Sequence, residues 1–183
     1  NICALQNQHV MTFLLRGKRI PLSSLNLSQI ELSYSKVFNQ SGYKVNADTL
    51  NKMAVMTMGY SYAFQLLGYL VWNAAKESKI INQALLDQVK IEYLIELDQN
   101  AYTKIFSSLS KQDKKFVLAI AQSKNNRVLI KEIREKLGRP SNFVANYRRR
   151  LLDDQIIKST NYGEVAFTLP YFKEYVLQQY RFE

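Results

Sequence analysis

The sequence predicts a mainly α fold, a four-helix bundle followed by a winged helix-turn-helix with a short β-hairpin wing. Three observations carry that prediction. The first half holds helical stripes of apolar residues separated by glycine and asparagine punctuation. Residues 114–151 read as helix, short extended piece, helix and helix, with Gly138 closing the second helix and Arg148-Arg149-Arg150 in the third. Two short apolar runs, 156–159 and 165–169, then flank Asn161-Tyr162-Gly163, which is the composition of a hairpin turn.

In chain order, residues 12–22 look like the end of a strand and an exit loop, because Pro21 lacks the N–H that a strand would donate. Ser28, with Glu31 three residues on, has the spacing of a capping box and is expected to open the first helix. Ile30, Tyr34, Val37 and Phe38 fall on one face of it, and Gly42 ends it. A second helix is expected after Asn46, with Leu50, Met53, Ala54 and Thr57 inside and a stop near Gly59. The third, about 61–76, is apolar on nearly all sides; the fourth, about 82–98, buries Leu85, Leu86, Val89, Tyr93 and Leu97. A helical turn over 102–109 joins the halves, and Ser110 with Asp113 repeats the capping spacing. Without a glycine- or proline-rich linker, the halves are expected to pack against each other.

The net charge of +10 is unevenly distributed. Residues 1–98 hold 9 Lys/Arg against 7 Asp/Glu, whereas residues 99–183 hold 16 against 8. Residues 111–158 alone hold 13 against 5, so the excess lies in the helix-turn-helix segment. A positive field confined to such a segment attracts polyanions, and phosphate neutralisation is the main source of non-specific nucleic-acid affinity. The single cysteine, Cys3, excludes an internal disulfide framework and a zinc knuckle and fits a reducing, cytoplasmic setting. The chain begins Asn-Ile-Cys-Ala rather than with Met, and the expectation is a fragment of a longer protein. Met53 to Ala75 lacks charge, yet Thr57, Gly59, Ser61, Gln65, Gly68 and Asn73 interrupt it, so a buried helix pair is expected and not a membrane span.

In the third helix of the second half, Ser141 follows Pro140 and has the chemistry of an N-cap. At 100° per residue Phe143, Val144, Tyr147 and Leu151 turn toward the core. The opposite side centres on Arg149, with Asn142, Ala145 and Asn146 beside it and Arg148 and Arg150 on the flanks. Arginine and asparagine are the side chains that grip guanine and adenine edges with two hydrogen bonds, while flanking arginines suit phosphates. Lys158 and the wing at Tyr162 add candidate backbone contacts. Asp153 and Asp154 stand four residues after Arg149 and Arg150, the spacing of intrahelical ion pairs. Duplex DNA is therefore the expected partner. Catalytic patterns are missing: His9 has no carboxylate or cysteine pattern around it, no metal-ligand spacing occurs, and there is no GxxxxGK[ST] phosphate loop. No enzyme activity, cofactor or metal is expected of this stretch itself.

Thr12-Phe13-Leu14, Arg16, Arg19-Ile20-Pro21-Leu22, then Thr57-Met58-Gly59-Tyr60-Ser61-Tyr62, Gln65-Leu66-Leu67-Gly68-Tyr69 and Trp72 together resemble bacterial AAA-type ATPases of the archaeal-ATPase/STAND group. Phe116-Val117-Leu118-Ala119-Ile120-Ala121, Asn146 to Leu151, Gly163 to Pro170 and Phe172-Lys173-Glu174-Tyr175 extend the resemblance over nearly the whole chain. The resemblance implies that residues 1–22 are the end of an ATPase core, 23–98 a four-helix lid, and 99–183 a winged helix with a closing C-terminal helix. It implies an ATP- or ADP-binding parent with Mg, whose Walker motifs lie upstream and whose core contacts this chain in cis. Gly59-Tyr60-Ser61 would be the lid turn facing nucleotide, with Ser61 where the family has proline. Ser61, Tyr62, Ala63 and Phe64 occupy the positions where origin-recognition-type cousins place a sensing arginine. Arg16 and Arg19 sit where an arginine finger or a core-surface arginine lies in such proteins. Two further readings come from other classes: a self-contained transcription regulator whose helical half senses a ligand near Tyr60, Tyr62 and Trp72 or dimerises, and an adaptor whose winged helix binds protein.

Overall fold

A computed structural model describes residues 24–181. Arg16, Arg19 and the strand expected over 12–22 lie outside the described residues. The chain is mainly helical, a bundle of helices followed by a winged region with a small antiparallel sheet.

The bundle contains α1 (Leu27–Gln40), α2 (Ala47–Thr57), α3 (Ser61–Ala74) and α4 (Gln83–Leu97). α1 is capped by Asn26, whose side chain accepts from the Ser28 and Gln29 amides. The expected Ser28 box does not form, because the helix begins two residues earlier and Ser28 is already inside its first turn. Ile30, Tyr34 and Phe38 are buried, but Val37 is exposed. The three buried residues form one i, i+4 row that already fills the contact with α2 and α3, and Val37 falls past its edge. Asn46 and Asn82 cap α2 and α4 as the punctuation suggested. Two strands of two residues each, β1 (Lys44–Val45) and β2 (Ile80–Ile81), pair in parallel and tie the α1–α2 loop to the α3–α4 loop. Strands this short leave no alternation in the sequence, so the pairing was not legible there.

Among the described residues, no helix is long and apolar enough to cross a membrane. α3 is buried along Ala63, Leu67, Leu70 and Val71 but exposes Tyr69, so it is less enclosed than its composition implies. The Tyr34 hydroxyl donates to the Phe64 carbonyl at 2.6 Å, and Trp72 packs on Tyr43 and Phe38.

α2 ends in a left-handed pair, Met58 at φ 49° and Gly59 at φ 80°. The Leu25 amide donates to the Gly59 carbonyl at 2.8 Å, and a Cβ on Gly59 would stand 2.5 Å from the Leu25 carbonyl oxygen. The turn therefore clasps the segment by which the chain enters the bundle. Gly59→Ala is expected to lower unfolding free energy by about 2–3 kcal/mol, from the unfavourable φ together with a clash against backbone that cannot rotate away. The shift of the urea midpoint measures it.

α4 runs through a π turn (Asp98–Tyr102) into α5 (Thr103–Ser108). Tyr102 is buried at this junction, and its hydroxyl donates to the Pro170 carbonyl. The Tyr93 hydroxyl donates to the Met56 carbonyl at 3.2 Å, and its ring meets Tyr171 edge-on. Burial drives the Tyr93 and Tyr102 hydroxyls far above the ordinary tyrosine range, so both remain neutral donors. One buried cluster runs through both halves, as the absence of a flexible linker suggested.

The winged region begins with α6 (Lys111–Ala121), opened by a Ser110–Asp113 capping box as the spacing predicts. β3 (Val128–Leu129), α7 (Ile130–Leu137), α8 (Ser141–Asp153), β4 (Ile157–Ser159), β5 (Glu164–Phe167) and α9 (Phe172–Gln179) follow. The strands pair antiparallel in the order β3-β5-β4, so the wing hairpin is closed on one side by the extended piece between α6 and α7. α9 is the closing helix and buries Phe172, Tyr175 and Val176.

Candidate nucleic-acid interface

Gly138 takes φ 58° and stops α7, and Pro140 in extended backbone holds the cap position of α8. Ser141 is thus the first residue of α8 and not its N-cap. Its hydroxyl accepts from the Arg134 guanidinium at 3.0 Å and so joins α7 to α8. Val144 and Leu151 are buried. Phe143 and Tyr147 are only half-buried and pack on each other with centroids 4.5 Å apart. Both pack against the core cluster, as their side of the helix predicts, with Arg139 over the Phe143 ring and Arg150 over the Tyr147 ring at their outer edge.

The exposed side of α8 carries Asn142, Ala145, Asn146 and Arg149, spaced as one helical stripe. Arg149 makes no hydrogen bond or ion pair with any of the described residues. Asn146 is likewise uncommitted, and Asn142 accepts only from the adjacent Phe143 amide. The three arginines therefore divide. Arg148 reaches the wing, where it donates to the Ser159 hydroxyl at 2.9 Å while its Nε is buried without a partner. Arg150 pairs with Asp113 and so bridges α8 to the start of α6. The i,i+4 spacing had pointed to Asp154 as its partner. Asp113 wins because it is 3 % exposed, so its carboxylate has few competing water contacts, and because α6 presents it across the helix pair. Burial instead raises the Asp154 carboxyl above its usual range, with the nearby Arg150 charge opposing that rise.

Tyr162 stands at the wing tip, fully exposed. Lys158 sits elsewhere. It faces Ala166 across the ladder, whereas its neighbour Ser159 is turned toward Arg148, so successive residues of β4 point to opposite faces of the sheet. Lys158 consequently lies on the face remote from α8. Gly59, Tyr60 and Ser61 are in the bundle, far along the chain from these residues, with Gly59 buried against Leu25 and Ser61 exposed at the start of α3. Desolvation raises the Tyr60 hydroxyl above its ordinary value, with Tyr62 beside it adding to the rise.

Residues that the sequence did not single out also border the interface. Lys131 and Arg134 of α7, with Ser141, Ala145 and Arg148 of α8, line a groove of about 280 Å³ between the two helices. Their three-residue spacing on α7 was the available signal, masked by the stronger arginine triplet.

The arrangement defines a winged helix-turn-helix whose second helix presents a polar, cationic stripe to solvent. A family model described as a domain of unknown function (DUF8462) matches residues 99–176. No curated protein matches the sequence. Among solved structures, two mutants of Thermotoga maritima RuvB align with 14 % and 16 % identity at a TM-score of 0.40, over 87 % of this chain and 50 % of theirs. The structure titled Thermotoga maritima RuvB Holliday junction branch migration motor aligns with 14 % identity at 0.38, over 87 % of this chain and 51 % of that one. The chain spans about half the length of the RuvB structures it matches.

Proposed function

We propose that the winged region is a duplex-DNA-binding output module, carried by a nucleotide-switched AAA/STAND-type ATPase whose catalytic core lies upstream. The single observation that supports DNA contact best is the Asn142–Asn146–Arg149 stripe, exposed and, apart from the Asn142 contact with the adjacent Phe143 amide, without partners among the described residues, on the helix that a helix-turn-helix inserts into the major groove. Asparagine amides and an uncommitted guanidinium have the donors and acceptors for adenine and guanine edges. Lys131, Arg134 and Arg139 border that helix and can neutralise phosphates, with Tyr162 at the wing tip.

In this reading the stretch has no turnover of its own, and ATP or ADP with Mg binds the upstream core. The Gly59-Tyr60-Ser61 turn clasps residues 24–25, so it sits where the chain arrives from that core, which favours the lid role implied by the sequence resemblance. Bundle and winged region meet where the Tyr93 ring stands edge-on to Tyr171 and, at their junction, where the buried Tyr102 hydroxyl donates to the Pro170 carbonyl. A tilt of the lid would then carry the DNA-reading helix with it.

Fluorescence anisotropy with labelled duplex DNA at low and moderate salt tests the reading. Binding is expected to weaken with salt, with a log–log slope of about −3 to −4 for three or four phosphates neutralised. Tyr162→Ala is expected to weaken binding about two- to fivefold while leaving the thermal midpoint unchanged, since its side chain packs on nothing. Unchanged affinity after joint replacement of Asn142, Asn146 and Arg149 by alanine, in a folded protein, would remove the DNA assignment.

A further inference from the structure

Between the outer face of the wing sheet and the end of α2 lies a half-open cleft of about 500 Å³, within the range of small-molecule sites. Val55, Met56 and Met58 form one wall, and Ala166, Leu169 and Tyr171 much of the other. Arg127 and Lys158 also line it. The strand register explains their placement. Val128 opposes Val165, so Arg127, one residue earlier, comes level with Ala166, and Ala166 itself opposes Lys158. The two cations thus flank a small alanine on the middle strand, with backbones about 10 Å apart at the usual interstrand spacing.

Neither Arg127 nor Lys158 has a hydrogen-bond or ion-pair partner among the described residues. The other charges on the lining are Lys173, whose ammonium donates to the Ser123 carbonyl at 2.7 Å, and Glu174. Positive charge therefore predominates on a mainly apolar lining, to which Asn125 and Asn126 also belong.

We propose that this cleft binds a small amphipathic anion, an aliphatic or aromatic body bearing a carboxylate, sulfonate or phosphate group. The anionic group lies over Ala166 between Arg127 and Lys158, where a larger residue would block it, and the body lies against Met56, Met58 and Leu169. Because one wall belongs to the bundle and the other to the winged region, an occupant touches both halves at once. The site is separate from the α8 stripe and does not depend on DNA binding there.

The test uses 8-anilinonaphthalene-1-sulfonate, a sulfonate on an aromatic body, titrated into the chain with binding followed by calorimetry and by amide shifts. One-to-one binding is expected, with shifts centred on residues 55–58, 125–127, 158–160 and 166–171. Arg127→Gln and Lys158→Gln should each raise Kd about fivefold or more, as loss of one charge-assisted contact does. Arg149→Ala should leave Kd unchanged. N-phenyl-1-naphthylamine, which has the same body without the sulfonate, should bind about tenfold more weakly, and Ala166→Phe should abolish binding. Both glutamine variants replace exposed side chains, so a folded protein is expected and circular dichroism checks it. Equal Kd in both glutamine variants and wild type, or shifts centred on the exposed Ile91–Ile95 edge of α4, would overturn the proposal.

Discussion

Arg149→Ala is expected to weaken binding to a preferred duplex about 5- to 100-fold while leaving the folded state as stable as before. The guanidinium is exposed and makes no contact within the described residues, so its removal leaves no orphaned partner; surface changes of this kind stay within about 0.5 kcal/mol. A two-pronged arginine–guanine contact, by contrast, is worth about 1–3 kcal/mol of discrimination. Arg149→Lys keeps the charge but loses the planar fork, and should restore non-specific affinity without restoring sequence preference. Against random duplex, Arg149→Ala should reduce the magnitude of the salt slope by about 0.9, the effect of one phosphate contact, if the side chain meets backbone there. Anisotropy titrations at several salt concentrations separate these cases. A variant that binds selected and random duplexes just as wild type does would mean that the stripe is a solvated face.

Asp113→Ala should act oppositely, on stability first and on binding through it. The carboxylate closes the capping box at the start of α6, accepting from the Ser110 amide and hydroxyl, and it also holds Arg150 on α8. Loss of a cap costs about 1 kcal/mol. Loss of a buried ion-pair partner costs about 3–5 kcal/mol when both charges are enclosed, but the Arg150 side chain is 51 % exposed and can turn to water. A total of about 2 kcal/mol is expected, read from the urea midpoint. Asp113→Asn keeps an acceptor for the cap and should recover part of that loss. Arg150→Ala should cost less than Asp113→Ala in affinity-independent stability, yet it strands a buried carboxylate and so should still destabilise. Comparing Arg150→Ala with Arg149→Ala distinguishes an arginine that holds the helix in place from one that is free to reach a ligand.

Much of this molecule is legible in its sequence. Asn46, Asn82, Gly59, Gly138 and the Ser110–Asp113 box marked helix ends through local chemistry, since a cap needs only its own turn to act. The hairpin showed because Asn161-Tyr162-Gly163 sits between two apolar runs, and Gly163 does take a left-handed φ of 72°. Failures arose where neighbouring signals competed. Asn26 lies two residues before Ser28 and captured the cap; Pro140 displaced Ser141; Val37 followed the helical period but missed the packed surface.

The sequence by itself determined the order of the helices and the wing, the basic winged region and the side of α8 that faces away from the core. These follow from periodicity and capping, which are properties of a few adjacent residues. Only the tertiary structure decided which arginine has no partner among the described residues. Arg148, Arg149 and Arg150 are chemically identical and adjacent, and their fates depend on Ser159 and Asp113, which lie 11 and 37 residues away along the chain. The same holds for Lys158: a one-residue alternation in β4 turns it away from α8 and toward Arg127 across the sheet. Burial of a partner and strand register are long-range facts, and no local pattern encodes them.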